Sequence, residues 1–211
     1  VVTGNGSRSI EAWIYNPVAA DEETIFSWGR RGGPDGSNTS FNHGLNAAFG
    51  AIGHWGAPDI GWNGAANVAQ GSWTYVAYTY DGVAQTTRVY KDGIEVNSEV
   101  LPNPLNTHAV NNTAAAGPLP FRVASQNDAG GGATAGLRGS MTIARIRVHD
   151  AVLDPLVIQT EFEQQKLAFG LLDTDGDGLL DYYEKRYNAF LNVNDPTDAA
   201  KDQDGDTLSN L

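Results

Sequence analysis

The stretch DTDGDGLLDYYE, Asp173–Glu184, puts three aspartates on alternate residues and adds two more acids within one further turn of chain. Carboxylates this crowded repel one another unless a cation sits among them. Calcium takes six to eight oxygen ligands, and the twelve-residue loop that binds it supplies them from positions 1, 3, 5, 7, 9 and 12, with glycine at 6 for the turn. Here Asp173, Asp175 and Asp177 fall at 1, 3 and 5, and Gly178 at 6. The Leu179 carbonyl falls at 7, Asp181 at 9, and Glu184 at 12, where it can bind through both oxygens. Mg²⁺ fits less well, because it demands tight octahedral geometry and keeps its waters. A bare acidic turn is the competing reading, and it leaves the match at every position unexplained.

A second, weaker copy follows. Asp202, Asp204 and Asp206 take positions 1, 3 and 5, but Thr207 stands where the glycine belongs. Leu208 offers a carbonyl and Asn210 the ninth position, while the twelfth would fall beyond Leu211. Asp195 and Asp198, in NDPTDAA, either assist this incomplete site or hold turns and caps; the residues alone leave both readings open.

Charge follows the same division. Residues 1–170 carry 10 Lys/Arg against 15 Asp/Glu, and residues 171–211 carry 3 against 10. That acidity repels phosphates, so nucleic acid is an unsuitable partner and cations are suitable ones. The absence of cysteine removes disulfides, thiolate chemistry and zinc held on sulfur, and leans toward a bacterial source. No apolar run is long enough to span a bilayer, and no signal peptide is visible. The chain begins at a valine and stops inside the second acidic pattern, so it reads as a piece of a longer protein.

Catalytic groupings are not legible in residues 1–170. Glu22 and Glu23 lie in a loop-like stretch, and Glu161 and Glu163 face different directions on a helix. His43, His54, His108 and His149 lack an activating context and read as loop or surface residues. Binding is better supported. Sugar recognition needs exposed aromatic rings beside polar groups, and GHWGAPDIGWNG, residues 53–64, sets Trp55 and Trp62 among loop residues with His54, Asp59 and Asn63 as a polar rim. The alternative is that one or both tryptophans cap the sandwich or pack against the acidic appendix. Trp13 and Trp73 lie inside strand patterns and are expected in the core.

The elements that must position these residues are mostly strands. SIEAWIY alternates, with Ile10, Ala12 and Ile14 on one face; TIFSWG, WTYVAYTY, FRVAS and SMTIARIRVHD read as further strands. TTRVYKDGIEVNSEV is a hairpin closed at Asp92-Gly93, the pair preferred by a two-residue type I′ turn. Helical periodicity begins only at Pro155, with Asp154 as N-cap, and Leu179–Leu191 reads as a short second helix. Many short strands between loop signals imply a sandwich, jelly roll or barrel.

The order RSIEAWIY, IFSWG, GSWTYVAYTYDG with TTRVYKDGIEV, and LRGSMTIARIRVHDAVLDPLVI resembles the laminin-G-like, concanavalin-A-like jelly-roll superfamily over residues 5–165. The resemblance implies an all-β, two-sheet sandwich of about a dozen strands, with ligand sites on loops at one rim or on the concave sheet. Family members often carry an acid near Ala144, so its role does not transfer here. Asp128 with Asn127 is either a family-like loop metal site or a plain turn. Residues 171–211 resemble the thrombospondin type-3-like calcium repeats of bacterial secreted proteins, through DTDGDGLLDYYE and NVNDPTDAAKDQDGDTLSN. A dockerin is the competing resemblance, but dockerins usually carry Asp at position 12, where Glu184 stands.

The expectation is therefore a jelly-roll domain over 1–170 and a small loop-helix calcium-binding appendix over 171–211, forming a non-catalytic recognition or adhesion module. Its expected partners are Ca²⁺ and a glycan or protein surface, and its expected location is extracellular or at the cell surface. A calcium-stiffened spacer, or an accessory carbohydrate-binding domain of an enzyme whose catalytic part lies elsewhere, are the alternatives.

Overall fold

The computed structural model describes residues 2–31, 38–45, 50–54, 58–63, 68–107, 119–128, 132–134, 138–203, 205 and 208–210. The chain forms two compact units, Val1–Thr160 and Glu161–Leu211.

The first unit holds nine strands among the described residues: β1 (Arg8–Tyr15), β2 (Thr24–Gly29), β3 (Asn38–Asn42), β4 (Ile52–His54), β5 (Trp73–Asp81), β6 (Thr86–Lys91), β7 (Ile94–Val100), β8 (Arg122–Val123) and β9 (Thr142–His149). They form two antiparallel sheets, ordered β7-β6-β5-β1-β9 and β4-β3-β2-β8. The jelly-roll sandwich expected from the sequence is present. Alternation explains which face is which. Ile10, Ala12 and Ile14 pair with Tyr78, Val76 and Thr74, and Ile10, Ala12, Ile14, Val76 and Tyr78 pack in one core with Phe26, Trp28, Phe41 and Ile52 of the other sheet. Fully burying each such side chain is worth about 1.5–3 kcal/mol, enough to fix the register. The hairpin turn between β6 and β7 has Asp92 at φ 51° and Gly93 at φ 81°, as a type I′ turn requires.

Polar groups bind the two layers together. Arg8 is fully buried, with its guanidinium donating to Thr107 Oγ1 at 2.9 Å and to the carbonyls of Gly6 and Gly4 at 2.9 Å. It also lies over the rings of Trp28 and Tyr80, at 5.5 and 5.6 Å. These contacts replace water around a cation that burial would otherwise disfavour.

The other face of the five-stranded sheet is also largely covered. Glu11, only 1% exposed, accepts from the Tyr75 hydroxyl and lies 2.6 Å from Arg147 Nε and 3.0 Å from His149 Nε2. A bulge in β9, where the register shifts between Glu11 and Trp13, accompanies Arg145 at φ 52° and sets Arg147 directly across from Glu11. Trp13 is buried on this outer face, its ring tilted against that of Tyr75 with centroids 5.3 Å apart. Trp73, expected in the core, is half-buried instead, 5.8 Å from Tyr15 on the same outer face. The odd positions of β1 and β5 point away from the core, and these rings follow that parity.

Helix α1 (Pro155–Gln165) starts where the sequence places it, with Leu156 N donating to Asp154 Oδ1 at 2.8 Å. A 3-10 turn over Lys166–Phe169 ends at Gly170, φ 76°. Helix α2 is shorter than the sequence pattern suggests, running only from Asp181 to Arg186. Beyond it Leu191 N returns to the Tyr187 carbonyl at 3.1 Å, and Leu191 packs with Leu179 and Ala199. Closing that small core requires a turn where a continued helix would carry Leu191 away. No helix among the described residues is long and apolar enough to cross a membrane.

Candidate metal centre

The first acidic loop curls as its glycines allow. Gly176 and Gly178 have φ of 77° and 99°, a region that costs other residues strain. Asp173 accepts from Gly176 N at 2.8 Å and Gly178 N at 3.1 Å, and Asp177 accepts from Leu179 N at 2.8 Å. These bonds turn the backbone so that one oxygen each of Asp173, Asp175 and Asp177 lies within 4.8 Å of the others.

A second grouping overlaps the first. Asp177, Glu184 and Asp198 also bring oxygens within 4.8 Å of one another. Glu184 is 0% exposed and both its oxygens lack a hydrogen-bond partner; the same holds for both oxygens of Asp175 and for Asp198 Oδ1. Burial, then repulsion from Asp175, Asp177 and Asp198, pushes Glu184 up to about 7. Asp175 is also raised, by burial and by its acidic neighbours. Lysines do not relieve this charge: Lys185 pairs with Asp181 at 3.0 Å and Lys201 with Asp195 at 2.9 Å. Unpartnered buried carboxylate oxygens are costly, and the donor set is all oxygen, which suits a hard cation such as Ca²⁺. Asp173, Asp175, Asp177 and Glu184 fit that ion.

Asp181 lies outside both acidic groupings. Its oxygens accept from Thr174 N at 2.8 Å, Thr174 Oγ1 at 3.0 Å and Lys185 Nζ at 3.0 Å. Burial raises this group, but those donors outweigh it and hold the carboxyl below its ordinary range. It braces the loop from behind. Leu179 contributes its side chain to the small core.

In the second copy, Asp202 accepts from Gly205 N at 2.7 Å, the same turn that Asp173 makes with Gly176. Leu208 is exposed, and Asn210 donates its side-chain amide to the Asp198 carbonyl at 2.7 Å. Asp204 and Asp206 lie outside the described residues. Asp195 caps a turn, accepting from Thr197 and Lys201, which lower it to about 2.

Among the described residues expected to form a sugar site, Trp62 and His54 are buried. Trp62 is only 5% exposed, edge-on to His43 at 6.0 Å and 6.3 Å from Phe41, so it belongs to the core. A large ring at the sandwich end gains more from that burial than from facing water. His54 is buried at the end of β4, 3.1 Å from the Tyr78 hydroxyl, and burial drops it to about 3. Asp59 accepts from His54 N at 2.6 Å and is raised by burial to about 6. Asn63 is exposed, with its amide on the Val96 carbonyl at 3.1 Å. Trp55 lies outside the described residues. Two aromatic features escaped the sequence reading: the half-buried Tyr15–Trp73 pair, and a groove of about 370 Å³ lined by Tyr183, Tyr187, Phe190, Gln203 and Asn210. The alternating pattern of β5 hinted at the first; the second depends on where α2 ends.

A search of curated proteins finds no match. Domain 4 of AbnA, a GH43 extracellular arabinanase from Geobacillus stearothermophilus solved with arabinotriose, is similar with a TM-score of 0.50 and 17% identity, over 76% of this chain and 68% of that one. An inferred carbohydrate binding protein from Bacteroides ovatus gives 0.52 and 17%, over 85% and 45%. The NanB sialidase from Streptococcus pneumoniae gives 0.50 and 14%, over 74% and 24%. At such identities the likeness is one of fold. The profile of the concanavalin A-like lectin/glucanases superfamily matches residues 1–159, well over half the length and the whole of both sheets. With the sandwich, its register and that match in agreement, the chain belongs to the concanavalin A-like lectin/glucanases superfamily.

Proposed function

We propose that this chain is a calcium-bearing, non-catalytic recognition module of a larger secreted or surface protein, in which the sandwich binds carbohydrate and the acidic segment is held in shape by Ca²⁺. The observation that carries the calcium half is Glu184, fully buried with both oxygens unpartnered among Asp175, Asp177 and Asp198. Asp173, Asp175, Asp177 and Glu184 would hold the ion, with Leu179 offering its carbonyl. A bound ion neutralises the cluster and locks the loop; it performs no chemistry on a substrate. Weak sites of this kind fill where calcium is abundant, which favours a location outside the cell.

The carbohydrate half rests on the family and on the arabinotriose bound by one fold neighbour. The half-buried Tyr15–Trp73 pair, beside the exposed Thr142 that pairs with Tyr15, is the aromatic surface of the sandwich best suited to a sugar ring. The buried acids support a binding role rather than catalysis. Glu11 is held by Tyr75, Arg147 and His149. Glu23 is held by Asn16 at 2.5 Å, Ala20 N at 2.8 Å and Ser140 N at 2.9 Å.

A second reading, a structural spacer whose only ligand is calcium, is favoured by the burial of Trp62 and His54. A glycan array probed with Ca²⁺ and then with chelator separates the two. Binding that Trp73→Ala removes supports the lectin reading, and silence in both conditions supports the spacer. Calorimetric titration with CaCl₂ tests the metal: no heat at millimolar calcium removes it.

A further inference from the structure

We infer that Asp198 closes the cation site of the first acidic loop, so that one ion clasps two separate segments, Asp173–Glu184 and the turn around Asp198. This rests on the calcium reading above and assigns the ion a ligand that the loop's own spacing does not supply.

Asp198 is only 2% exposed, and its two oxygens have different surroundings. Oδ2 accepts from Asn192 N at 2.7 Å, while Oδ1 has no partner. Its carboxylate lies within 4.8 Å of Asp177 and of Glu184, which is itself buried and unpartnered. A buried acid facing two others gains nothing without a shared cation.

The turn holds Asp198 in place for that role. Asp198 N donates to the Asp195 carbonyl at 3.1 Å, and its own carbonyl accepts from Lys201 N at 3.0 Å and from the Asn210 amide at 2.7 Å. The next residue donates its N–H to Asp177 Oδ2 at 3.2 Å and tucks its methyl against Leu179 and Leu191. Asp177 therefore touches both segments and belongs to both acidic groupings.

Asp181 lies in neither acidic grouping, and its oxygens brace Thr174 and Lys185. With Asp198 in its stead, single oxygens from four aspartates, two from Glu184 and the Leu179 carbonyl fall within the six to eight that calcium takes. The minimal binding unit is then the loop together with the downstream turn, and the ion orders the path between them.

The test is calorimetric titration of the full chain with CaCl₂, comparing wild type with Asp175→Asn, Asp181→Asn and Asp198→Asn. The asparagine at 198 keeps an acceptor for Asn192 N, so the turn retains its hydrogen bond. Asp198→Asn is expected to weaken binding at least about tenfold, the scale on which groups around a metal matter, and Asp181→Asn to weaken it less than Asp198→Asn does. Hydrogen exchange on the wild type supplies a readout without any variant: amides of residues 192–201 should gain protection when calcium is added. If Asp175→Asn abolishes binding while Asp198→Asn binds like wild type and residues 192–201 gain no protection, the clasp is wrong and the calcium loop stands. If the wild type binds no calcium, both fall.

Discussion

The carboxylates of Glu184 and Asp198 approach within 4.8 Å of each other, one fully buried and the other 2% exposed. One lies in helix α2 and the other in the turn that follows Asp195. Two buried acids in that relationship destabilise a fold unless a cation lies between them. The stability of the second unit should therefore depend on calcium and on pH in a linked way.

Glu184→Gln should reverse its effect with calcium. Without the ion, Glu184 titrates near its ordinary value in the unfolded chain and at about 7 in the fold. Folding then favours the protonated acid, so its contribution is present at low pH and lost as pH rises through about 7. At pH 8 with chelator, the glutamine variant should melt above wild type. With calcium at about a hundred times its dissociation constant, wild type gains about 2.7 kcal/mol that the variant lacks. Thermal melts in both buffers check this, and a variant that melts lower in both would count against the assignment.

His43 and His54 should stay neutral at pH 5. Both are buried in the sandwich, which depresses them to about 4 and about 3. Since their folded values lie below the unfolded one, their stabilising effect is complete above about 6.5. It falls as pH drops from there, by up to about 1.4 kcal/mol per pH unit for each ring. Asp59, raised to about 6, works the other way and returns part of that loss between about 6 and 4. The ring carbon–proton signals report the charge directly; a shift of either ring near pH 6.5 would contradict the burial.

Trp62→Ala should destabilise the first unit by about 3–5 kcal/mol, as for other buried aromatic rings. Asn63→Gly, next in the chain, should change stability by less than about 0.5 kcal/mol. Its side chain is exposed, and glycine accepts the φ of 49° found there. Urea unfolding followed by tryptophan fluorescence separates the two, and a mild Trp62→Ala would return that ring to the list of solvent-facing candidates.

Glu11→Gln should cost about 3 kcal/mol, the scale for breaking a buried ion pair from one side. The loss falls on the Tyr75 hydroxyl, Arg147 and His149, which converge on that carboxylate. Chemical denaturation gives the number; a change below about 1 kcal/mol would mean that water replaces the acid without penalty.

Much of the architecture was readable in one dimension. Period-two alternation in SIEAWIY fixed the inner face of β1, and Asp92-Gly93 fixed the hairpin turn, because both signals are local and steric. The curl of the acidic loop was readable for the same reason: Asp173, Asp175 and Asp177 sit a few bonds apart, and the glycines that permit the curl are adjacent to them.

What the chain could not show in one dimension was which polar and aromatic residues are covered. Trp62 and His54 sit among glycine, proline and asparagine, the company of exposed loops, yet the facing sheet closes over them. The sequence by itself determined a strand-rich sandwich and an acidic loop with calcium spacing. Only the tertiary structure decided that Trp62 is core, that Asp181 braces the loop, and that Asp198 meets Glu184. Burial and the meeting of distant carboxylates depend on the path of the chain through space, and spacing along the chain does not encode that path.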